Sequence, residues 1–442
     1  MKKWAASLLL LSLAVTGCSP SGENQEAGAG KDEAAKKPVE LTFTIFDDGV
    51  GVDKKLVETF NQSHPDIKVT YKPLPSGELR DRLTTWLAAK DDSLDVLGLD
   101  IVWISEFAKA GWISPVDDLM DAAMKEKVKT GFLKAPVDAV TVDGKMYAVP
   151  WNSTAGMLYY RKDILEKEGV QPPQTWDELL TLSKELGQKY NMNGFVGQYK
   201  QYEGLVTNVL EIMESYNGKI LDDSGKPVVN SPENVKALQT MVKLKEVMPN
   251  GVNTYMEKES QETFLNGNAV FMRHWNSAWP LAEKEGSAVK GKVGVVPLPK
   301  GENGKHASTL GGWNLAVSQT SKHPKEAFEF IQWMTEAKQQ KVKAIEGGRL
   351  PSDVSLYEDQ EVLTKNDSFK SFYEVLKNGV SRPKSPRYGK VTEAIQQEVS
   401  LASTVKNRLS RRCRIFRRSL RTLQNNVDFH DRHPSAKRRR GL

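Results

Sequence analysis

The chain has 442 residues, 39% of them apolar and 27% charged, which predicts a globular protein of two or three domains rather than a disordered one. The net charge of +6 is unevenly spread, because residues 401–442 hold 13 Lys and Arg but two acidic residues. The other 49 basic and 54 acidic residues give residues 1–400 a net charge of −5. This balance argues against nucleic acid as a partner of the body.

The first 18 residues have the pattern of a bacterial lipoprotein signal. A basic start, Met1-Lys2-Lys3, leads into a mostly apolar stretch, and small residues precede Cys18 in the sequence VTGC. The apolar stretch is too short to span a membrane as a stable helix. We therefore predict a signal peptide over 1–18, lipidation of Cys18 and a flexible tether over 19–38. The alternative is an ordinary signal peptide with an incidental cysteine.

Several kinds of chemistry are missing from the sequence. With two cysteines, Cys18 and Cys413, it has neither a disulfide framework nor a cysteine metal site, and its six histidines form no HExxH motif. It has no phosphate loop, no GxGxxG after a strand and no GxSxG elbow. We therefore expect no metal, no cofactor and no catalytic residues. A lone histidine such as His274 is expected to be a structural or surface residue rather than a ligand, and adjacent acids such as Asp47-Asp48, Asp91-Asp92 and Asp117-Asp118 are expected in turns or at helix starts.

The body alternates strand and helix patterns. Polar–apolar alternation predicts strands over 39–46 and 67–71, and a further strand over 94–99, with amphipathic helices over 53–63 and 79–90 between them. This order predicts an α/β fold with a mainly parallel sheet, whose ligand lies at the carboxyl ends of the strands. Further strands are predicted over 194–197, 269–272, 292–296 and 314–318, and further helices over 176–190, 203–216, 231–248, 257–266, 324–340 and 391–399.

Three tryptophans stand in predicted loops beside small polar residues: Trp151, Trp275 and Trp313. A flat aromatic ring covers the apolar face of a sugar, while neighbouring amide and hydroxyl groups bind its hydroxyls. These residues therefore indicate a carbohydrate site. The alternative is that each ring anchors its loop in a hydrophobic core.

A family resemblance rests on segments spread through the body. They are DVLGLDIVWISEFAKAGWISPVDD (95–118), YAVPWNSTAGMLYYRK (147–162), YKQYEGL (199–205), VFMRHWNSAW (270–279) and VKGKVGVVPLPKGENGKHASTLGGWNLAVSQTSKHP (289–324). In this order they resemble the bacterial extracellular solute-binding proteins (family 1) of sugar ABC transporters, the trehalose/maltose-binding proteins most of all. The resemblance covers about residues 40–400.

This resemblance implies a two-lobed periplasmic-binding-protein-like fold of type II, with the ligand cleft between the lobes at a hinge. The N-terminal lobe would comprise 39–148 and 309–336, and the C-terminal lobe 149–304 and 337–400. Asp100 would face the ligand after the third strand, and Trp275 and Trp313 would stack on the sugar.

Further ligand contacts are implied with less exact matches. Gly311 and Gly312 would offer backbone contacts beside Trp313. Where the relatives have a Tyr and an Asp, this chain has Asn152 and Thr154, with Trp151 alongside, so the hydroxyls that it binds would differ. Arg349 would approach from the far side of the cleft.

The function implied is that of a substrate-binding component of a carbohydrate ABC importer. It would be a monomeric, exported lipoprotein at the outer face of the bacterial cytoplasmic membrane. It would bind a di- or oligosaccharide, such as an α-glucoside, by hinge closure and deliver it to the permease subunits without catalysis. The alternative is a secreted glycan-active enzyme, a glycosidase, on a two-lobed scaffold.

The basic tail, residues 401–442, differs in composition from the body. One interpretation is a patch that binds nucleic acid or anionic lipid. The interpretation that we favour is a frame change in the gene, since another reading frame of suitable codons would encode an acidic amphipathic helix there.

Overall fold

The computed structural model describes residues 37–222, 228–385 and 388–404. The predicted signal peptide, Cys18, nearly all of the tether and the tail beyond residue 404 lie outside these ranges, so the predictions made for them stay predictions. Within these ranges, no helix is long and apolar enough to cross a membrane.

Twelve strands are present in the described ranges. They are β1 (Val39–Phe46), β2 (Ile67–Leu74), β3 (Val96–Asp100), β4 (Thr141–Val142), β5 (Lys145–Met146), β6 (Val149–Arg161), β7 (Asn193–Val196), β8 (Ala269–Trp275), β9 (Val293–Val296), β10 (Ser308–Val317), β11 (Leu350–Pro351) and β12 (Gly379–Val380). The main sheet has the order β2-β1-β3-β10-β6-β8-β7, with β9 and β11 also paired to β6 and β12 to β10. Strands β4 and β5 pair separately.

Sixteen α-helices accompany these strands in the same ranges. They are α1 (Val52–Ser63), α2 (Ser76–Ala88), α3 (Ile104–Lys109), α4 (Ala122–Gly131), α5 (Lys134–Ala139), α6 (Lys162–Glu168), α7 (Trp176–Tyr190), α8 (Glu203–Ser215), α9 (Pro232–Leu244), α10 (Glu257–Leu265), α11 (Trp279–Ala282), α12 (Pro324–Met334), α13 (Ala337–Gly347), α14 (Gln360–Lys365), α15 (Phe369–Lys377) and α16 (Tyr388–Thr404). Short 3₁₀ helices cover Lys245–Val247, Val252–Thr254, Asn276–Ala278 and Val354–Tyr357.

The α/β class is confirmed, but the prediction of a mainly parallel sheet is wrong at the sheet's centre. Strand β1 pairs in parallel with β2 and β3, and β7 with β8. Strand β6 is antiparallel to β8, β9 and β10, and β10 is antiparallel to β3. The physical reason is the path of the chain between separate hydrophobic cores. Strand β6 leaves the first core and β10 returns to it, so the two strands run in opposite directions.

Strands β6 and β10, the crossing strands, connect these cores. The first core contains Val149 at the start of β6 and Leu315 near the end of β10, together with the inner faces of β1 and β3. Further along β6, Leu158 lies in a second core with α7, α8 and α9. Leu310, near the start of β10, lies in a third core with α15. The middle of each strand is therefore the point where the chain passes between cores.

Local sequence explains some helix ends. Thr175 and Ser231 cap α7 and α9, accepting hydrogen bonds from the backbone N–H groups of Glu178 and Asn234. The single helix predicted over 324–340 is wrong, because the chain breaks into α12 and α13 at Thr335. The Thr335 hydroxyl donates to the Ile331 carbonyl, and its own carbonyl accepts from the Gln340 side chain.

Candidate functional site

The three selected tryptophans lie in strands, so their predicted loop placement is wrong. Trp151 lies within β6, Trp275 is the last residue of β8, and Trp313 lies within β10. Strand β6 is missing from the prediction because it is covered on both faces and contains Pro150 and Gly156, which obscure any alternation. Trp151 and Trp313 therefore belong to the strands that pass between the cores, whereas Trp275 belongs to their neighbour β8.

Strand register brings two predicted residues, Asp100 and Asn152, next to Trp313. Trp313 pairs with Asp100 on β3 and with Asn152 on β6. Its backbone N–H donates to Asn152 Oδ1 at 3.0 Å. The half-buried Trp313 ring packs against Phe46, with ring centroids 4.1 Å apart, and meets Trp103 edge-on at 5.6 Å. The ring thus stands at the carboxyl ends of β1 and β3, where the strand order switches.

Trp275 belongs to a neighbouring group of residues beside the crossing strands. Gly311 pairs with Thr154, and a Cβ at Gly311 would lie 2.5 Å from Thr154 Oγ1 and 3.5 Å from Trp275 Cζ3. The side chains of Trp275 and Thr154 are both partly exposed. The two candidate stacking rings therefore flank the Gly311-Gly312 segment.

Arg349 reaches the same region from the position just before β11, which pairs with β6 at Asn152 and Ser153. Its Nη2 donates to the Asp48 carbonyl at 3.1 Å, and its guanidinium carbon lies 5.6 Å from the Phe46 ring centroid. Phe46 therefore lies between Arg349 and Trp313.

Trp151 differs from the other two tryptophans because it is only 1% exposed. Its ring meets Phe43 edge-on in the first core, and the Lys343 ammonium lies over it. This burial favours the core-packing interpretation for Trp151 and leaves Trp275 and Trp313 as the partly exposed rings.

The sequence analysis missed Arg382. Its Nη2 lies 3.3 Å from Asp100 Oδ1, and its Nη1 donates to Glu203 Oε1 at 2.8 Å. Burial raises the pKa of the Asp100 carboxyl, and the Arg382 charge opposes that rise. Asp100 and Arg382 are 282 positions apart, so no local spacing in the sequence links them.

The adjacent carboxylate pairs have local structural roles. Asp48 Oδ1 accepts from the backbone N–H groups of Val50 and Gly51 at the start of α1. Asp91 accepts from the Ser93 N–H, and Asp117 from the Met146 N–H. This confirms their expected places in turns and at a helix start. No cluster of three His, Cys, Asp or Glu able to hold a metal ion occurs in residues 37–222, 228–385 and 388–404.

The backbone conformation of β10 requires a glycine at position 312. Its φ is +144°, and a Cβ there would lie 2.4 Å from the Asn152 carbonyl oxygen. We expect Gly312→Ala to lower the free energy of unfolding by roughly 2–3 kcal/mol, measured by urea denaturation. Gly77→Ala is the control, because no atom lies within 4 Å of a Cβ at that helical position. Equal stability of the two variants would contradict this assignment.

His274 is buried, as expected of a structural residue, and its burial predicts an acid-sensitive fold. It is 1% exposed, its Nε2 lies 3.2 Å from the Glu257 carbonyl, and burial lowers its pKa to about 4. Between pH 6.5 and pH 4 the unfolded chain therefore binds more protons than the native one. Stability should fall by about 2 kcal/mol between pH 7 and pH 4.5 from this group. Urea melts across that range should show a shallower pH slope for His274→Gln, and an unchanged slope would count against the assignment.

The comparisons with known proteins define the class. The chain belongs to the bacterial extracellular solute-binding protein family, whose model matches residues 47–341. The resemblance noted in the sequence is thereby confirmed.

Individual relatives agree with this class. A probable ABC transporter-binding protein of Deinococcus radiodurans is 38% identical over 383 residues, covering 84% of this chain and 90% of the relative. An arabinooligosaccharide-binding protein of Bacillus subtilis is 27% identical over 342 residues, 73% of each chain. The structure of maltose-bound T. maritima MalE3 superposes with a TM-score of 0.77 at 40% identity, covering 87% of this chain and 100% of that one. The two-lobed α/β fold is therefore confirmed.

Proposed function

We propose that this protein is the sugar-binding component of a carbohydrate ABC importer. Its ligand would be a di- or oligosaccharide such as an α-glucoside. The observation that carries the proposal is the pair of partly exposed rings beside Gly311: Trp313 on β10 and Trp275 at the end of β8. Polar groups of Asp100 and Thr154 stand beside these rings, as sugar recognition requires.

The proposed cycle is binding without chemistry. We divide the body into an N-terminal lobe of 39–148 and 309–336 and a C-terminal lobe of 149–304 and 337–400. Sugar contacts to both lobes would stabilise a closed form by hinge motion, and the permease would recognise that form. Arg382 of the C-terminal lobe would link the two lobes, because it contacts Asp100 of the first lobe and Glu203 of the second.

The proposed location is the outer face of the bacterial cytoplasmic membrane, through a lipid on Cys18. Membership of an extracellular family supports export, and the VTGC sequence supports the anchor. We propose that the protein works as a monomer, with the sugar and the permease subunits as its partners. The net charge of −5 on residues 1–400 disfavours nucleic acid.

The proposal is tested by titrating intrinsic tryptophan fluorescence with maltose, trehalose, sucrose, glucose and longer glucans. We expect a saturable change at micromolar concentration of at least one sugar, and the sugar recovered intact after incubation. Flat titrations of the folded protein across this panel would overturn the assignment to α-glucosides. Consumption of the sugar would instead support the glycosidase.

A further inference from the structure

A buried ion pair lies directly behind one of the candidate stacking rings. The guanidinium carbon of Arg273 is 4.2 Å from the centroid of the Trp275 ring, a distance typical of a cation–π stack. Arg273 is 1% exposed, so its guanidinium is not accessible to a sugar in the cleft. One side of the Trp275 ring therefore rests on a fixed charged group.

Arg273 is held rigidly. Its Nε and Nη2 donate to the two carboxylate oxygens of Glu211 at 2.7 and 2.5 Å, and its Nη1 donates to Gln198 Oε1 at 3.0 Å. A bidentate pair of this kind fixes the plane of the guanidinium as well as its position. The guanidinium group that lies against the Trp275 ring is therefore fixed in place.

The carboxylate of Glu211 also contacts strand β10. Glu211 Oε1 also accepts from the backbone N–H of Thr309, near the start of β10, at 3.1 Å. Strand β10 carries Gly311 and Trp313 a few residues further on. Glu211 thus connects the support of one ring to the strand that carries the other.

The surrounding sequence makes room for this pair. Gly156 pairs with Trp275 between β6 and β8, and a Cβ there would lie 1.9 Å from Glu211 Oε1 and 2.3 Å from Arg273 Nη2. A buried ion pair is a poor source of stability, since apolar side chains of similar volume often stabilise a core equally well. Its presence beneath Trp275 therefore calls for a role other than stability.

We propose that Arg273, oriented by Glu211, is a positioning residue that fixes the Trp275 ring for stacking on the ligand. This inference rests on the proposed sugar-binding function. Arg273 acts through Trp275 and makes no contact with the sugar. The ligand chemistry concerned is the apolar face of a pyranose ring.

The test uses the paired variant Arg273→Met/Glu211→Gln, which removes both charges together so that neither is left buried alone. The amide oxygen that replaces the carboxylate can still accept from the Thr309 N–H. The matched control is Arg161→Met/Asp163→Asn, which removes another bidentate pair, with distances of 2.8 and 2.6 Å. We expect at least tenfold weaker binding of maltose in the Arg273 variant and less than a twofold change in the control. Wild-type affinity in the Arg273 variant would overturn the proposal.

A second readout does not depend on sugar. The near-UV circular dichroism band of Trp275 is obtained by subtracting the spectrum of a Trp275→Phe variant, in both the wild-type and the Arg273→Met/Glu211→Gln backgrounds. We expect the Trp275 band to collapse in the second background, and an unchanged band would overturn the positioning role. If the wild-type protein binds no sugar in the panel, the proposed function fails while this readout still decides the role of Arg273.

Discussion

Trp313→Ala and Trp275→Ala should each weaken binding of the cognate sugar by about 30–150-fold, while the folded state is retained. Each ring supplies a flat apolar surface beside polar groups, and truncation of such an aromatic anchor typically costs about 2–3 kcal/mol of binding free energy. The measurement is isothermal titration calorimetry with the sugar that gives a fluorescence change. Phe substitutions should recover part of the affinity, because a smaller ring still stacks.

Trp333→Ala is the matched control for these two variants. Trp333, on α12, meets Phe60 and His64 edge-on and is not among the candidate ligand residues. It should lower the melting temperature without changing affinity in the protein that remains folded. If Trp333→Ala weakens sugar binding as much as Trp313→Ala does, the loss reflects general destabilisation and the stacking role is contradicted.

Lys343→Met should destabilise the protein by about 3–5 kcal/mol at pH 6, where Lys343 is charged in the native state, because it leaves Asp53 buried without a countercharge. Lys343 Nζ lies 3.2 Å from Asp53 Oδ1, and the two residues are 4% and 0% exposed. Apart from this ion pair, neither oxygen of Asp53 has a hydrogen-bond partner among the described residues. The double variant Asp53→Asn/Lys343→Met removes both charges and should recover most of the loss. Urea denaturation of the wild type, the double variant and both single variants, Lys343→Met and Asp53→Asn, gives the coupling free energy.

Lys55→Met is the control for position, because Lys55 and Glu346 link the same two helices, α1 and α13, on the surface. Their ammonium–carboxylate distance is 2.6 Å, and the side chains are 57% and 41% exposed. This variant should cost no more than about 1 kcal/mol. A loss as large as that of Lys343→Met would show that burial is not the reason for the effect.

The same buried pair, Asp53 and Lys343, predicts a pH dependence on the alkaline side. Burial lowers the pKa of Lys343 from 10.5 to about 7, although the Asp53 charge opposes the shift. Between pH 7 and pH 10.5 the unfolded chain therefore binds more protons, so this group makes stability rise with pH across that window. The double variant should have a smaller slope there. An identical slope would contradict the assignment to Lys343.

Much of this protein is determined by local sequence. The bounds of β1 and α7 were predicted to the residue, because alternation, helical periodicity and the Thr175 cap depend on neighbouring residues alone. The family could be recognised for a related reason, since its signature segments are contiguous. Trp275 and Trp313 were likewise selected as candidate stacking residues from the small polar residues beside them.

Only the tertiary structure decided how those segments meet. The centre of the sheet is antiparallel because the chain leaves the first core through β6 and returns through β10. No local sequence pattern predicts this path. The contact of Arg382 with Asp100 spans 282 positions, and the burial of Trp151 depends on Phe43 and Lys343 from distant elements. Short-range propensity specifies single elements, whereas the site is made by long-range pairing and burial, which depend on the whole chain.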